Sequence, residues 1–278
     1  MASPKFSHTS QSFHTELKKR INDYFKQAGK SSTGNFNLYL KAVLLVIAYL
    51  FVYIHLVFYT PATWLALVEC IILGGLTAAI GFNIMHDGMH GSFSRYKWVN
   101  NLAGLSLNFL GANNFMWKTK HNIIHHTYTN VEGIDDDIEA KPLLRLCETQ
   151  KYYKIHRFQH WYFWAAYSLL YIWWVFVTDY KKYFLKRIGP TPLKPMSLLD
   201  HISFWGFKAL HAFLFVALPI YMVGFIPWLI GFLAFGLFSG FVLSIVFQLA
   251  HTVEHTHFPQ ANPETHKMED EWAIHQLK

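Results

Sequence analysis

This sequence is short of charge. Lysine, arginine, aspartate and glutamate make up 15% of its 278 residues, against roughly 25% in a soluble globular domain. The shortfall excludes an ordinary soluble fold. Cysteine is nearly absent: Cys70 lies in an apolar segment and Cys147 in a polar loop. That excludes a disulfide framework and a cysteine-based structural zinc site. The N-terminus has no short apolar core, so it does not read as a signal peptide. Residues 1–37 are polar and basic, with Lys18-Lys19-Arg20, and read as a cytosolic segment that starts a surface helix capped by Ser12 or Thr15. The net charge of +7 does not indicate nucleic acid. Its basic residues flank apolar segments, which is the positive-inside pattern and suits anionic lipid headgroups.

What is present is apolar and aromatic: 53% and 18% of the chain. A bilayer crossing needs about 20 such residues. Residues 42–59 and 64–85 are two runs joined by the turn Thr60-Pro61-Ala62, and so form a hairpin. Residues 202–223 and 224–250 form a second, with Pro219, Gly224 and Pro227 around the bend. Residues 102–117 are too few to cross, so they lie in the interface or dip in and return. Residues 159–178 are long enough to cross, which raises a question of parity. If they crossed, Lys181, Lys182, Lys186 and Arg187 would lie outside, and His251 would face the wrong side, roughly 30 Å of hydrocarbon from the other histidines. An interfacial position removes both problems and suits the Trp and Tyr density. The alternative is a fifth span.

Histidine clusters stand at the ends of these runs. They read His86-Asp87-Gly88-Met89-His90, His121-Asn122-Ile123-Ile124-His125-His126, and His251-Thr252-Val253-Glu254-His255. Imidazole is the commonest metal ligand among side chains. Residues four apart share a helix face, so His86 pairs with His90 and His121 with His125, and His126 lies about 100° around. His251 falls at the same membrane side. Imidazole-rich sites suit zinc, copper, iron or nickel, and six histidines exceed the needs of one tetrahedral ion, which points to two metals. Two redox-active irons beside lipid suggest oxygen chemistry on an apolar substrate. The remaining histidines, His8, His14, His55, His156, His160, His201, His211 and His266, read as interfacial or hydrogen-bonded, and so do His257 and His275.

These clusters, with the adjoining Gly91-Ser92 and Thr127-Tyr128-Thr129-Asn130, the run Gly133-Ile134-Asp135-Asp136-Asp137 and Ala250-His251-Thr252-Val253-Glu254, resemble the membrane-bound fatty acid desaturases. The similarity runs from about Gly34 onward and is nearest to bacterial acyl-CoA or acyl-lipid members of the linoleoyl-CoA type. The resemblance implies an all-α membrane protein: four transmembrane helices in two hairpins, interfacial helices, and a cytosolic cap holding a di-iron site, with residues 38–278 as the membrane domain. It implies two iron ions, with His86, His90, His121, His125, His126 and His251 as ligands. Asp87 and the Asp135, Asp136 and Asp137 carboxylates are candidates to orient the imidazoles. The implied reaction takes dioxygen and two electrons, places a cis double bond in a fatty acyl chain carried by CoA or lipid, and releases oxygen as water.

Two departures stand out. Some relatives carry a fused haem domain with an H-P-G-G motif. This sequence has none, which implies a separate electron donor, a ferredoxin or a cytochrome-type haem protein. The family's third box, Q-x-x-H-H, is also missing, and residues 271–278 resemble the region that precedes it. The expectation is a C-terminally incomplete domain, inactive alone unless His255, His257 or His275 substitutes. Rival readings are a histidine-box hydroxylase or ketolase, a histidine-rich metal transporter, and an inactive chain that binds partners or lipid. Transporters place polar ligands near the bilayer midplane, where this chain offers only His55, Glu69 and His211.

Overall fold

Residues 4–7 and 12–277 are described by a computed structural model; His8 lies outside them. Four helices are long and apolar enough to cross a membrane: Phe36–Tyr59, Thr63–Met89, Leu198–Val223 and Phe225–His251. At 1.5 Å per residue they run about 36 to 40 Å, enough for a hydrocarbon core of roughly 30 Å. Their apolar side chains largely face outward, as Val43, Leu44, Ile47 and Ile230 do. This is an all-α membrane protein with the two expected hairpins.

Local chemistry sets the span ends. Asn35 caps the first span by accepting from Leu38 N at 3.1 Å, and the left-handed Thr60 (φ 43°) ends it just before Pro61. Ser197 and Asp200 form a reciprocal cap on the third span. Pro219 is not part of the second bend, as the sequence suggested; it sits inside the third span, and the chain turns at Gly224 (φ 86°). The ring leaves the carbonyl four residues earlier without its amide. That carbonyl, Phe215 O, instead accepts from Trp228 Nε1 at 2.8 Å.

The second and fourth spans meet through glycine. A Cβ on Gly74 would lie 2.7 Å from Phe235 O and 3.1 Å from Ser239 Oγ. Gly74→Val should therefore push the spans apart and cost about 1–3 kcal/mol of stability, read as a lower unfolding temperature in detergent.

Residues 102–117 dip in and return. Helix Lys97–Phe109 descends, the chain reverses at Gly111 (φ 100°), and residues 114–125 climb back. Gly111 O accepts from Lys208 Nζ at 2.7 Å and Leu110 O from Tyr171 Oη at 2.9 Å. Lys208 is ten residues into the third span, about 15 Å from its start, so the tip reaches the bilayer interior. Lys208 also donates to Val175 O at 2.8 Å and pairs with buried Asp179 at 2.9 Å.

Residues 159–185 form a bent helix packed on the fourth span, where Gly240 abuts Ser168 and Gly236 abuts Ile172. One end is tied to Arg145 by Gln159 at 3.0 Å, the other to Asp136 by Lys182 at 2.8 Å. Gln150, which donates to Ile138 O, closes that same loop on itself. This helix, tied at both ends to one loop, is not among the four candidate spans. A two-residue antiparallel pairing, Arg187–Ile188 with Thr191–Pro192, comes next. The N-terminal helix is Phe13–Gln27, but Ser12 makes no side-chain cap; Phe13 N donates to Glu271 Oε1 at 2.9 Å instead. Glu271 is brought there because Lys5 pairs with Lys267.

Candidate metal centre

Three elements converge at one end of the bundle. The second span continues past its apolar run, so His86 and His90 share a face with ring centroids 4.5 Å apart. His251 ends the fourth span and meets His125 edge-on at 4.4 Å. The returning arm of the re-entrant hairpin carries the middle cluster.

That arm departs from the sequence reading. Residues Thr119–His125 wind as a π-helix, and His126 N donates to His121 O, five residues back, at 3.0 Å. In this wider turn both the fourth and fifth residues flank the starting position. His126 therefore does not lie around the helix. It faces His121, Nε2 to Nε2 at 3.2 Å, while His125 stacks on His121 at 5.1 Å. His121 also touches His86 at 5.3 Å and His90 at 5.5 Å, and His90 touches His126 at 4.8 Å. All six sequence candidates form one continuous group.

The three elements are stitched by amides that the sequence did not single out. Asn122 Nδ2 donates to Met89 O at 2.8 Å, fixing the π-turn to the second span. Asn130 Nδ2 donates to His251 O at 3.2 Å, fixing the fourth span. Trp117, buried, packs on His121 at 4.5 Å, and Phe247 on His251 at 4.7 Å. Trp272 Nε1 donates to His126 O at 2.9 Å from above.

The three consecutive aspartates separate in role. Asp135, fully buried, accepts from His125 Nδ1 at 2.9 Å and from Asn130 N at 2.9 Å. Asp137 pairs with Lys120 and lies 3.3 Å from His125 Nδ1 and 3.6 Å from His121 Nδ1. Asp136 turns away to Lys182. Asp87 stands 3.8 Å from His86 Nδ1.

Electrostatics keep most of these rings neutral. Burial pushes His121 down to about 3, against the opposing pull of Asp137, and burial with the charges of His86 and His126 pushes His90 down to about 4. His126 is lowered by burial and by His125. Burial acts on His125 too, but the bond to Asp135 and the nearby carboxylate charges outweigh it and raise its pKa. Burial would raise Asp137, yet Lys120 above all holds it below the carboxylate range.

The donor set fits a metal. The donor atoms of His86, His90 and His121 lie within 4.8 Å of one another, and so do those of His121, His125 and Asp137. His125 Nε2 is buried without a hydrogen-bond partner, a state that calls for a ligand. Asp135 holds the proton on Nδ1, so in the neutral ring the lone pair lies on Nε2. Asp135→Asn would set an amide donor against Nδ1–H. It should lower metal affinity about 10- to 100-fold, read by metal content after graded chelation.

Five histidines outside the group have ordinary partners. His55 bonds Glu69 at 2.8 Å, so these two are a pair rather than isolated. His156 contacts Pro142 O, His201 contacts Tyr183, and His211 contacts Phe109 O. His275 contacts Thr129 O at 3.0 Å.

The fatty acid desaturase family model matches residues 62–278. The chain belongs to that family. This desaturase is 34% identical over 268 residues to the "sn-1 linoleoyl-lipid 6-desaturase" of Arthrospira platensis, covering 96% of this chain and 72% of that protein. It is 31% identical to the protein of the same name from Synechocystis, with 96% and 74% covered. It is 31% identical to an "Acyl-lipid (8-3)-desaturase" of Physcomitrium patens, with 96% and 56% covered. No solved structure matches it. The desaturase is an oxidoreductase of fatty acid metabolism, and its histidine groups could hold metal at the span ends rather than mid-membrane, unlike a transporter's ligands.

Proposed function

We propose that this desaturase holds two iron ions with His86, His90, His121, His125, His126 and His251 on the cytosolic side of the membrane, and sets a cis double bond into a lipid-linked acyl chain with dioxygen as cosubstrate. The unpartnered Nε2 of buried His125, inside a continuous group of imidazoles, carries this reading. Two donor sets that share His121 support two metal positions. Bound iron would supply, from dioxygen and two electrons, the oxidising power that removes two hydrogens from adjacent methylenes, with oxygen leaving as water.

The chain's own residues hold and orient. Asp135 keeps the His125 proton on Nδ1. Lys120 compensates Asp137, so a carboxylate can stay charged beside His121. Trp117 and Phe247 close the ring faces to water and give the site an apolar wall. The relatives are named for lipid-linked acyl chains, which supports that carrier over CoA. A cleft of about 360 Å³ beside His90, lined by Arg95, Lys97 and Lys118 and by no acid, supports a berth for the carrier's polar head. Electrons would come from a ferredoxin or a cytochrome-type haem protein. The polar segment 1–37 would share the cytosolic side with the cap of the membrane domain, 38–278.

Two experiments test this. Lipid profiling of a host expressing the full-length gene should show acyl chains with one added double bond; hydroxylated or oxo products in their place would make it a hydroxylase or ketolase. For sidedness, Lys186→Cys in a cysteine-free background should react only with a thiol reagent admitted to the cytosol. Labelling from outside would refute the cytosolic placement.

A further inference from the structure

Among the described residues, one amphipathic helix, Phe13–Gln27, has no buried residue on its apolar face. Phe13, Leu17, Ile21 and Tyr24 recur at steps of four, four and three, which share one face. All four are exposed, Ile21 at 47% and Tyr24 at 58%. Helical winding puts Lys18 and Arg20 on opposite flanks of this stripe, with Lys19 and Lys26 behind. Four cations stand against Glu16 and Asp23, a surplus of two positive charges. Among the described residues Lys18, Lys19 and Lys26 pair with no acid, and Arg20 pairs only with Glu16, at 2.8 Å.

The helix is anchored at both ends, close to the membrane. Phe13 N is held by Glu271, and His14 meets Trp272 edge-on at 5.2 Å. At the other end Gly34 N donates to Ser92 O at 3.0 Å, and Asn35 then caps the first span. Only residues 28–35 separate the helix from a segment that crosses the bilayer.

We infer that Phe13–Gln27 docks on an anionic lipid surface. The stripe enters the boundary between headgroups and acyl chains, the flanking cations meet lipid phosphates, and the rear cations add attraction to the anionic surface from further off. The occupant is the bilayer that the protein already spans. Charge complementarity selects its anionic lipids, and the short connection to the first span holds the helix at that level. The docked helix also carries Glu271 and Trp272 at its N-terminal end. Trp272 donates to His126 O, so the lipid surface and the histidine centre share a mechanical link.

The test is a depth measurement on the full chain with Cys70 and Cys147 replaced by alanine. A nitroxide at Ile21→Cys, or at Lys19→Cys, is compared in nanodiscs of phosphatidylcholine with and without phosphatidylglycerol. With phosphatidylglycerol, the label at 21 should collide with oxygen in preference to a nickel chelate, and the label at 19 should do the reverse. The preference at 21 should fade in pure phosphatidylcholine. It should fade also in the Lys18→Glu, Arg20→Glu, Lys26→Glu variant, each lost cation weakening docking roughly fivefold. A label at 21 open to nickel in both lipids overturns the inference. So does one shielded from both reagents whatever the lipid, which means protein covers the stripe, and so does equal depth in the two lipids.

Discussion

Replacing His121 and His125 together by alanine should abolish desaturation and strip the protein of iron, while the chain still inserts in the membrane. His121 belongs to both donor sets, so its loss removes a ligand from each proposed metal position. His125 supplies the buried Nε2 and the contact to His251. The loss should exceed the roughly 10- to 100-fold expected for an orienting residue such as Asp135. Insertion energy comes from the four apolar spans, none of which contains these two side chains. Iron content, product analysis and recovery in the membrane fraction read the three outcomes. Normal activity in the double variant would sink the metal assignment.

Lys208→Met should be the most destabilising single change in the third span, by roughly 3–5 kcal/mol. It would leave Asp179 as an uncompensated buried charge and take the donor from Gly111 O and Val175 O. Removing both charges, as Lys208→Met with Asp179→Leu, should recover part of the loss, since no lone charge then remains. Thermal unfolding of the wild type, of Lys208→Met, of Asp179→Leu and of the double variant in detergent measures the cycle. A double variant no more stable than Lys208→Met would mean that the carbonyl contacts, rather than the ion pair, set the cost. Activity should fall in both variants that lack Lys208, because the hairpin tip that Lys208 holds carries the arm bearing His121, His125 and His126.

The spans and the six histidines were legible in the sequence because hydropathy and four-residue spacing report directly on membrane crossing and on shared helix faces. Parity argued for an interfacial place for residues 159–178, and they are not among the four helices long and apolar enough to cross. Other features leave no such trace. Lys208 stands inside a run that averages as apolar, and its partners come from residues 29 and 97 positions away. The three consecutive aspartates look alike until the fold turns one to His125, one to Lys182 and one to Lys120. Nothing in the residues 119–125 marks a π-turn, because its extra hydrogen-bond span is set by what Asn122 and Asp135 hold in place. Pro219 reads as a bend, and only Trp228 explains why it need not be one.

Five segments wind as π-turns: His55–Tyr59, Gly81–Met85, Thr119–His125, Trp174–Thr178 and Phe213–Ala217. Such a turn carries one residue more than its α-helical counterpart. Each is therefore a joint at which an ancestral chain could gain or lose a single residue without breaking the helix. The effect of such an event depends on where it falls. A deletion within 81–85 can be absorbed by relaxing that turn to an α-helix, leaving His86 and His90 facing His121, whereas one in the α-helical stretch Thr63–Ile80 has no extra residue to give up and would rotate them by about 100°. One-residue gaps in the middle of these membrane helices should thus be tolerated at such joints and harmful in the α-helical turns beside them.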